Sequence, residues 1–244
     1  MNFILLTTVI VICSVIHSFF GMGLLLFGTP TLLLMGYPFS KVLAYLLVPS
    51  VTISLLQLLN NYRVEPRFVV NFITYCLPAV CLSLTFHLYA NIRLKLELVI
   101  AFLILLSVLF RCIPTLEKKI QKIIQVNQKI YLVVMGCVHG FTNMGGGLLS
   151  VFVNSQYTNK EQILCCVSFC YVFFGIIQIT TLSIFDHEAF SSEVIWFSAI
   201  AGSIYITLGK SLFTFSSQHF YKNLFTGFMV IYAGLLITKG MRLI

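Results

Sequence analysis

The chain has 244 residues, of which 59% are hydrophobic and only 9% charged, with a formal net charge of +8. Soluble domains carry roughly 25% charged residues, so water is excluded as the main solvent. An all-α, polytopic membrane protein is expected.

In chain order, apolar runs of the length a bilayer crossing needs, about 17–25 residues, fall at 3–34, 42–60, 68–88, 94–112, 130–154, 162–185, 194–213 and 221–238. The first contains "MNFILLTTVIVICSVIHSFF". It has no basic residue ahead of the apolar stretch and no small-x-small cleavage pattern, and it reads as a retained span rather than a signal peptide. His17, Gly21, Gly23 and Pro30 follow one another in this run. Glycine weakens a helix, so a break is expected near Gly21 and Gly23, with Pro30 in the half-helix beyond. The second span carries Gln57 and closes in "NNYRVEP". Between the fourth and fifth spans, "TLEKKIQKIIQVNQK" sets Leu116, Ile120, Ile123 and Ile124 on one helical face opposite Lys118, Lys119 and Lys122. That pattern suits a short helix lying on an anionic leaflet. The fifth run, with "HGFTNMGGGLLS", holds His139, Asn143, Gly145, Gly146 and Gly147. It predicts a second break, with a half-helix starting near Leu148. The sixth span carries Gln178 and ends in "FDHEAF".

A shift of 122 places His17 on His139 and brings Gln57 within one residue of Gln178. The chain therefore divides into a first repeat of four spans over 1–115, an amphipathic linker over 116–129 and a second four-span repeat over 130–244. Transporter repeats of this kind enclose a site near the bilayer midplane. The halves are parallel if each glycine segment crosses the membrane and inverted if it is re-entrant, and both arrangements stay open at this point. Loop Lys and Arg residues divide nine to six in favour of cytosolic termini. The eight cysteines are scattered without a C-x-x-C pair and read as small apolar residues, so neither a metal nor a cofactor is expected.

The polar groups at depth define the candidate site. Mid-span carboxylates are lacking: Glu97 lies near a span end, and Asp186, Glu188 and Glu193 lie in a loop. What remains is His17, His139, Asn143, Gln57, Gln178 and the free N–H groups at two half-helix N-termini, a set that favours an anion. Histidine can carry a proton near neutral pH, to pair with the anion or couple its movement to protons, or it can stay neutral and hold backbone. The glutamines can donate to substrate or tie helices together, and the glycines can serve close helix packing instead of a break. Tyr45, Tyr171 and Ser168 are further hydroxyl donors.

The two glycine segments resemble those of the sulfite exporter TauE/SafE family, in which each half carries a G-x-G-G-G stretch followed by apolar residues and a proline. "FGMGLLLFGTP" keeps Gly21, Gly23 and Pro30 and replaces later glycines with Leu24 and Leu25; "GFTNMGGGLLSVF" keeps three glycines, with Asn143 at a usual glycine and Phe152 at the usual proline. The resemblance implies a secondary transporter of the cytoplasmic membrane that moves small anions such as sulfite or sulfonates, most often outward. The expected partners are that anion and the lipid bilayer. A homo-oligomer is allowed, and nothing points to a nucleic acid. A membrane enzyme is disfavoured, because H-E-x-x-H, G-x-S-x-G, paired intramembrane aspartates and a nucleotide loop are all missing. A non-transporting scaffold or accessory subunit is the remaining alternative, although a scaffold gains nothing from an unwound backbone.

Overall fold

The computed structural model describes residues 3–59, 64–90 and 126–215, with scattered residues within 102–124 and 217–238. Most of the span expected over 94–112 lies outside the described residues, as do 116–118, 120 and 125 of the linker and eight residues of the span expected over 221–238. Helix α1 covers Phe3–Phe20; after a break, a π-helical turn over Leu24–Gly28 runs straight into α2, Thr29–Leu34. Next come α3, Phe39–Leu58, and a rod in three pieces: α4 (Pro66–Asn71), a π turn (Phe72–Cys76) and α5 (Leu77–Tyr89). The same succession returns as α6 (Gln128–Thr142), α7 (Gly146–Gln156), α8 (Lys160–Phe185) and a rod of α9 (Glu193–Ile204), a π turn (Tyr205–Gly209) and α10 (Lys210–Phe215). Five helices are long and apolar enough to cross a bilayer: α1, α3, the α4–α5 rod, α8 and the α9–α10 rod. Among the described residues, carboxylates keep to the ends of these rods, as Glu161 and Glu193 do in their first turns.

Local sequence explains one of the widened turns. Pro78, in the first turn of α5, has no N–H to return to the preceding turn, and Leu77 N–H reaches back five residues to Phe72 O.

Each glycine segment folds as a hairpin, so neither 3–34 nor 130–154 is one straight run. Seventeen residues of continuous helix would separate Tyr131 from Leu148 by about 25 Å. Instead Tyr131 Oη donates to Leu148 O at 2.7 Å, and its ring stacks on Phe152. Helix α7 thus returns alongside α6. In the first half a Cβ added to Gly23 would collide with the backbone of His17, and Phe228 touches both Phe20 and Phe27. The chain reverses there as well.

The unbroken helices α3 and α8 pack along each other and run antiparallel. Lys41 Nζ, near the start of α3, donates to Glu188 O just beyond the end of α8 at 2.7 Å. Midway, Gly175 leaves room for Val51. At the other end Ser168 Oγ donates to Gln57 Oε1 at 2.7 Å. Around this pair the hairpins change sides: α1 lies against α9 and its π turn, and α6 lies against the α5 rod. Both seams rest on a glycine facing a serine, with the roles exchanged. A Cβ on Gly209 would collide with Ser18 of α1, and one on Gly140 of α6 would collide with Ser83 of α5. Gly136, one turn before Gly140, lies just as close to Cys76 O. Close packing of small residues four apart therefore describes Gly136 and Gly140, outside the breaks.

This seam predicts that Gly140→Leu will lower stability by at least ~1–3 kcal/mol through overpacking, read as a fall in melting temperature or loss of monodisperse protein in detergent. Leu82→Ala, at an exposed position of the same α5 rod, is expected to leave both unchanged.

Candidate functional site

The hairpin tips are built from backbone that only a few residues tolerate. Gly21 (φ 77°) and Asn143 (φ 59°) adopt the left-handed conformation, and their N–H groups close the last turns of α1 and α6 on His17 O and His139 O at 2.6 and 2.7 Å. Asparagine is the non-glycine residue that best accepts this geometry, which explains Asn143 where the related pattern has glycine. The second break covers Asn143–Gly145, and α7 begins at Gly146, earlier than the expected Leu148. Gly146 and Gly147 form its first turn.

Both histidines are fully buried and hold the same post. Nδ1 of His17 accepts the N–H of Leu24 at 3.3 Å, and Nδ1 of His139 accepts the N–H of Gly145 at 3.2 Å. A backbone N–H can only donate, so Nδ1 is unprotonated and each neutral ring carries its hydrogen on Nε2. From there His17 meets Ser54 Oγ and His139 meets Gln178 Oε1, each at 3.1 Å. Each imidazole thus caps the helix that restarts after the break. The close approach requires glycine: a Cβ on Gly145 would lie 2.5 Å from His139 Cβ, and Gly23 presses on His17 in the same way.

From His139 the donors continue in one direction. Gln178 Nε2 donates to Asn143 Oδ1 at 3.2 Å, and Asn143 Nδ2 donates to Thr29 Oγ1 of the other hairpin at 2.9 Å. Gln57 Nε2 donates to the carbonyls of His17 and Ser18 at 3.3 and 3.0 Å. Gln57 and Gln178 therefore occupy matching posts, each tying a hairpin tip to an unbroken helix. Tyr171, on α8, stands between the two histidines, with ring centroids 5.6 Å from His17 and 6.2 Å from His139. A Cβ on Gly146 would collide with its hydroxyl and lie 3.7 Å from Met22 Cβ. The two breaks and the first turn of α7 converge here. Tyr171 Oη is buried without a hydrogen-bond partner, a cost of about 1–3 kcal/mol.

His17, Gly21, Gly23, Gln57, His139, Asn143, Gly145, Gly146 and Gln178 are thus brought into one cluster. Gly147 follows in the first turn of α7, while Pro30 lies about two turns beyond the first break and serves the start of α2. Tyr45 is elsewhere, donating to Glu193 Oε2 at 3.2 Å. Ser54 and Thr29 carried no sequence signal, since a hydroxyl in an apolar span is common and only its partner marks it. Next to the cluster lies a cavity of about 120 Å³ whose lining includes Ser18, Gln57, Glu161, Cys165, Tyr205 and Lys210. It has room for several waters, and its lining holds one basic and one acidic side chain, Lys210 and Glu161. Lys210 directly follows the π turn Tyr205–Gly209 at the start of α10.

A family model described as sulfite exporter TauE/SafE matches residues 6–236 of the chain. No curated protein and no solved structure matches it.

Removing one cap tests the site as built. His139→Ala leaves Gly145 N–H and Gln178 Oε1 unpaired and removes a ring stacked 4.0 Å from Phe174. A loss of ~2–5 kcal/mol is expected, measured as thermal unfolding of purified protein, against ~1 kcal/mol or less for Tyr45→Phe.

Proposed function

The chain belongs to the sulfite exporter TauE/SafE family, whose members are membrane transporters of sulfite or related anions, and we propose that it is a secondary transporter that moves a small anion such as sulfite or a sulfonate outward across the cytoplasmic membrane. The observation that carries this reading is the convergence of two hairpin tips on Tyr171, with the N-terminus of α7 aimed at the centre and no carboxylate within the cluster among the described residues; Glu161 lines the cavity beside it, together with Lys210. N–H groups and the positive end of the helix dipole can replace the hydration shell of an anion there. A cation would meet no acidic ligand within the cluster itself. An inside-negative potential of ~100 mV contributes roughly 2.3 kcal/mol per charge to outward anion movement, so export needs no coupling ion.

We infer further that 1–115 and 130–244 are inverted repeats joined by 116–129, each completed by a fourth span, at 94–112 and 221–238. Support comes from the antiparallel course of α3 and α8 and from the exchanged Ser–Gly seams. A re-entrant hairpin gives each half an odd number of net crossings, the condition for inversion. The binding groups in this reading are the backbone of Gly146 and Gly147 with that of Gly23 on the facing tip, while Gly21, Asn143 and Gly145, whose N–H groups are spent on His17 O, His139 O and His139 Nδ1, shape the two tips. His17, His139, Gln57 and Gln178 hold that backbone in place. A scaffold would have no use for polar tips buried at depth.

Two measurements test the proposal. In liposomes the purified protein is expected to move sulfite or a small sulfonate and neither sodium nor potassium; cation flux without anion flux contradicts it. Asn143→Asp keeps a residue that tolerates φ 59° but adds a charge. Repulsion of ~2–3 kcal/mol at roughly 6–8 Å and an effective dielectric near 20 should weaken anion binding by about tenfold or more.

A further inference from the structure

We propose that the Tyr171 hydroxyl is a substrate-contacting group, the side-chain donor that meets the transported anion at the N-terminus of α7. The proposal rests on the reading of the protein as an anion transporter and adds a residue to its site.

Three observations lead to it. First, the side chains that the sequence singles out are already committed to protein partners: His17 and His139 through both ring nitrogens, Gln178 and Asn143 through the donor chain, and Gln57 to two carbonyls and Ser168. Second, Tyr171 is fully buried in the same cluster, and its Oη has no partner. Third, that hydroxyl lies over the first turn of α7, where Gly146 has no side chain and a Cβ would collide with it. The N–H groups of a first turn have no partner inside their own helix, so an unpaired phenol donor and the backbone donors of a helix start share one place.

Chemically the set suits passage. A phenol O–H donates a charge-assisted hydrogen bond to an anionic oxygen without supplying a fixed positive charge, so an anion is bound yet free to leave, as conduction requires. The cavity beside the cluster is lined by Gln57 and by Ser18, whose Oγ also lacks a partner. Ser168, bonded to Gln57, lies one turn from Tyr171 on α8.

The test uses the purified full-length chain and sulfite. Tyr171→Phe keeps the ring packed against both histidines and deletes one unpaired oxygen, so its melting temperature without sulfite should equal or exceed that of the wild type. Its affinity for sulfite, read from ligand-induced thermal shifts and from half-saturating flux in liposomes, should fall about ten- to a hundredfold. A second variant, Gly146→Ala combined with Tyr171→Phe, puts a methyl group where the hydroxyl stood and should be folded but unable to bind. If the wild type binds sulfite and either variant binds it within twofold of the wild type, the role of Tyr171 is overturned while the transporter reading stands. If the wild type binds neither sulfite nor small sulfonates, the anion reading fails, and this proposal with it.

Discussion

A helix that stops inside a membrane leaves N–H and C=O groups that no water can satisfy, and the fold depends on how that need is met. At each hairpin tip a buried imidazole accepts the N–H of the restarting backbone on Nδ1 and passes its own hydrogen to a side chain of the second helix, Ser54 or Gln178. Much else follows from this bond. The ring must be neutral, because an imidazolium would turn a donor toward a donor. The backbone must fold back onto the last turn of the preceding helix, which leaves space only for glycine at 23 and 145. The turn itself needs a left-handed residue, supplied by Gly21 in one half and Asn143 in the other.

The same bonds set the electrostatics of the centre. Because the caps are neutral and the glutamines are spent on carbonyls and amides, the cluster holds no fixed side-chain charge. Its polarity comes from the N-terminal end of α7 and the helix after the first break. Fixed dipoles of this kind need little reorganisation when a charged guest arrives, which separates this site from one built on lysine or arginine. The charged side chains near the cluster, Lys210 and Glu161, belong to the cavity at its edge.

The two hairpins are also tied to each other. Asn143 donates to Thr29, Ser168 donates to Gln57, and exchanged Ser–Gly contacts bind each hairpin to the rod of the opposite half. Neither hairpin has a complete polar network of its own. Small residues at the seams keep backbones close enough for dispersion to hold them where the lipid supplies no hydrophobic drive.

The sequence by itself determined the solvent, the helical class, the position of both breaks and the pairing of His17 with His139 and of Gln57 with Gln178. Composition, run length and a repeated spacing of glycine and polar residues encode these features locally. It left the path of the chain through each break undecided. A straight crossing and a hairpin share the same apolar pattern, and the choice lies in one left-handed residue and in contacts such as Tyr131 with Leu148, which no periodicity reports. The histidines were legible as buried polar groups, but whether they face substrate or backbone turned on which atoms lie about 3 Å away. Tyr171 was legible only as one of several possible hydroxyl donors, beside Tyr45 and Ser168. Only the packing of α8 between the two hairpins leaves its hydroxyl at the meeting point without a partner, because burial and hydrogen bonding are properties of neighbours brought together in space.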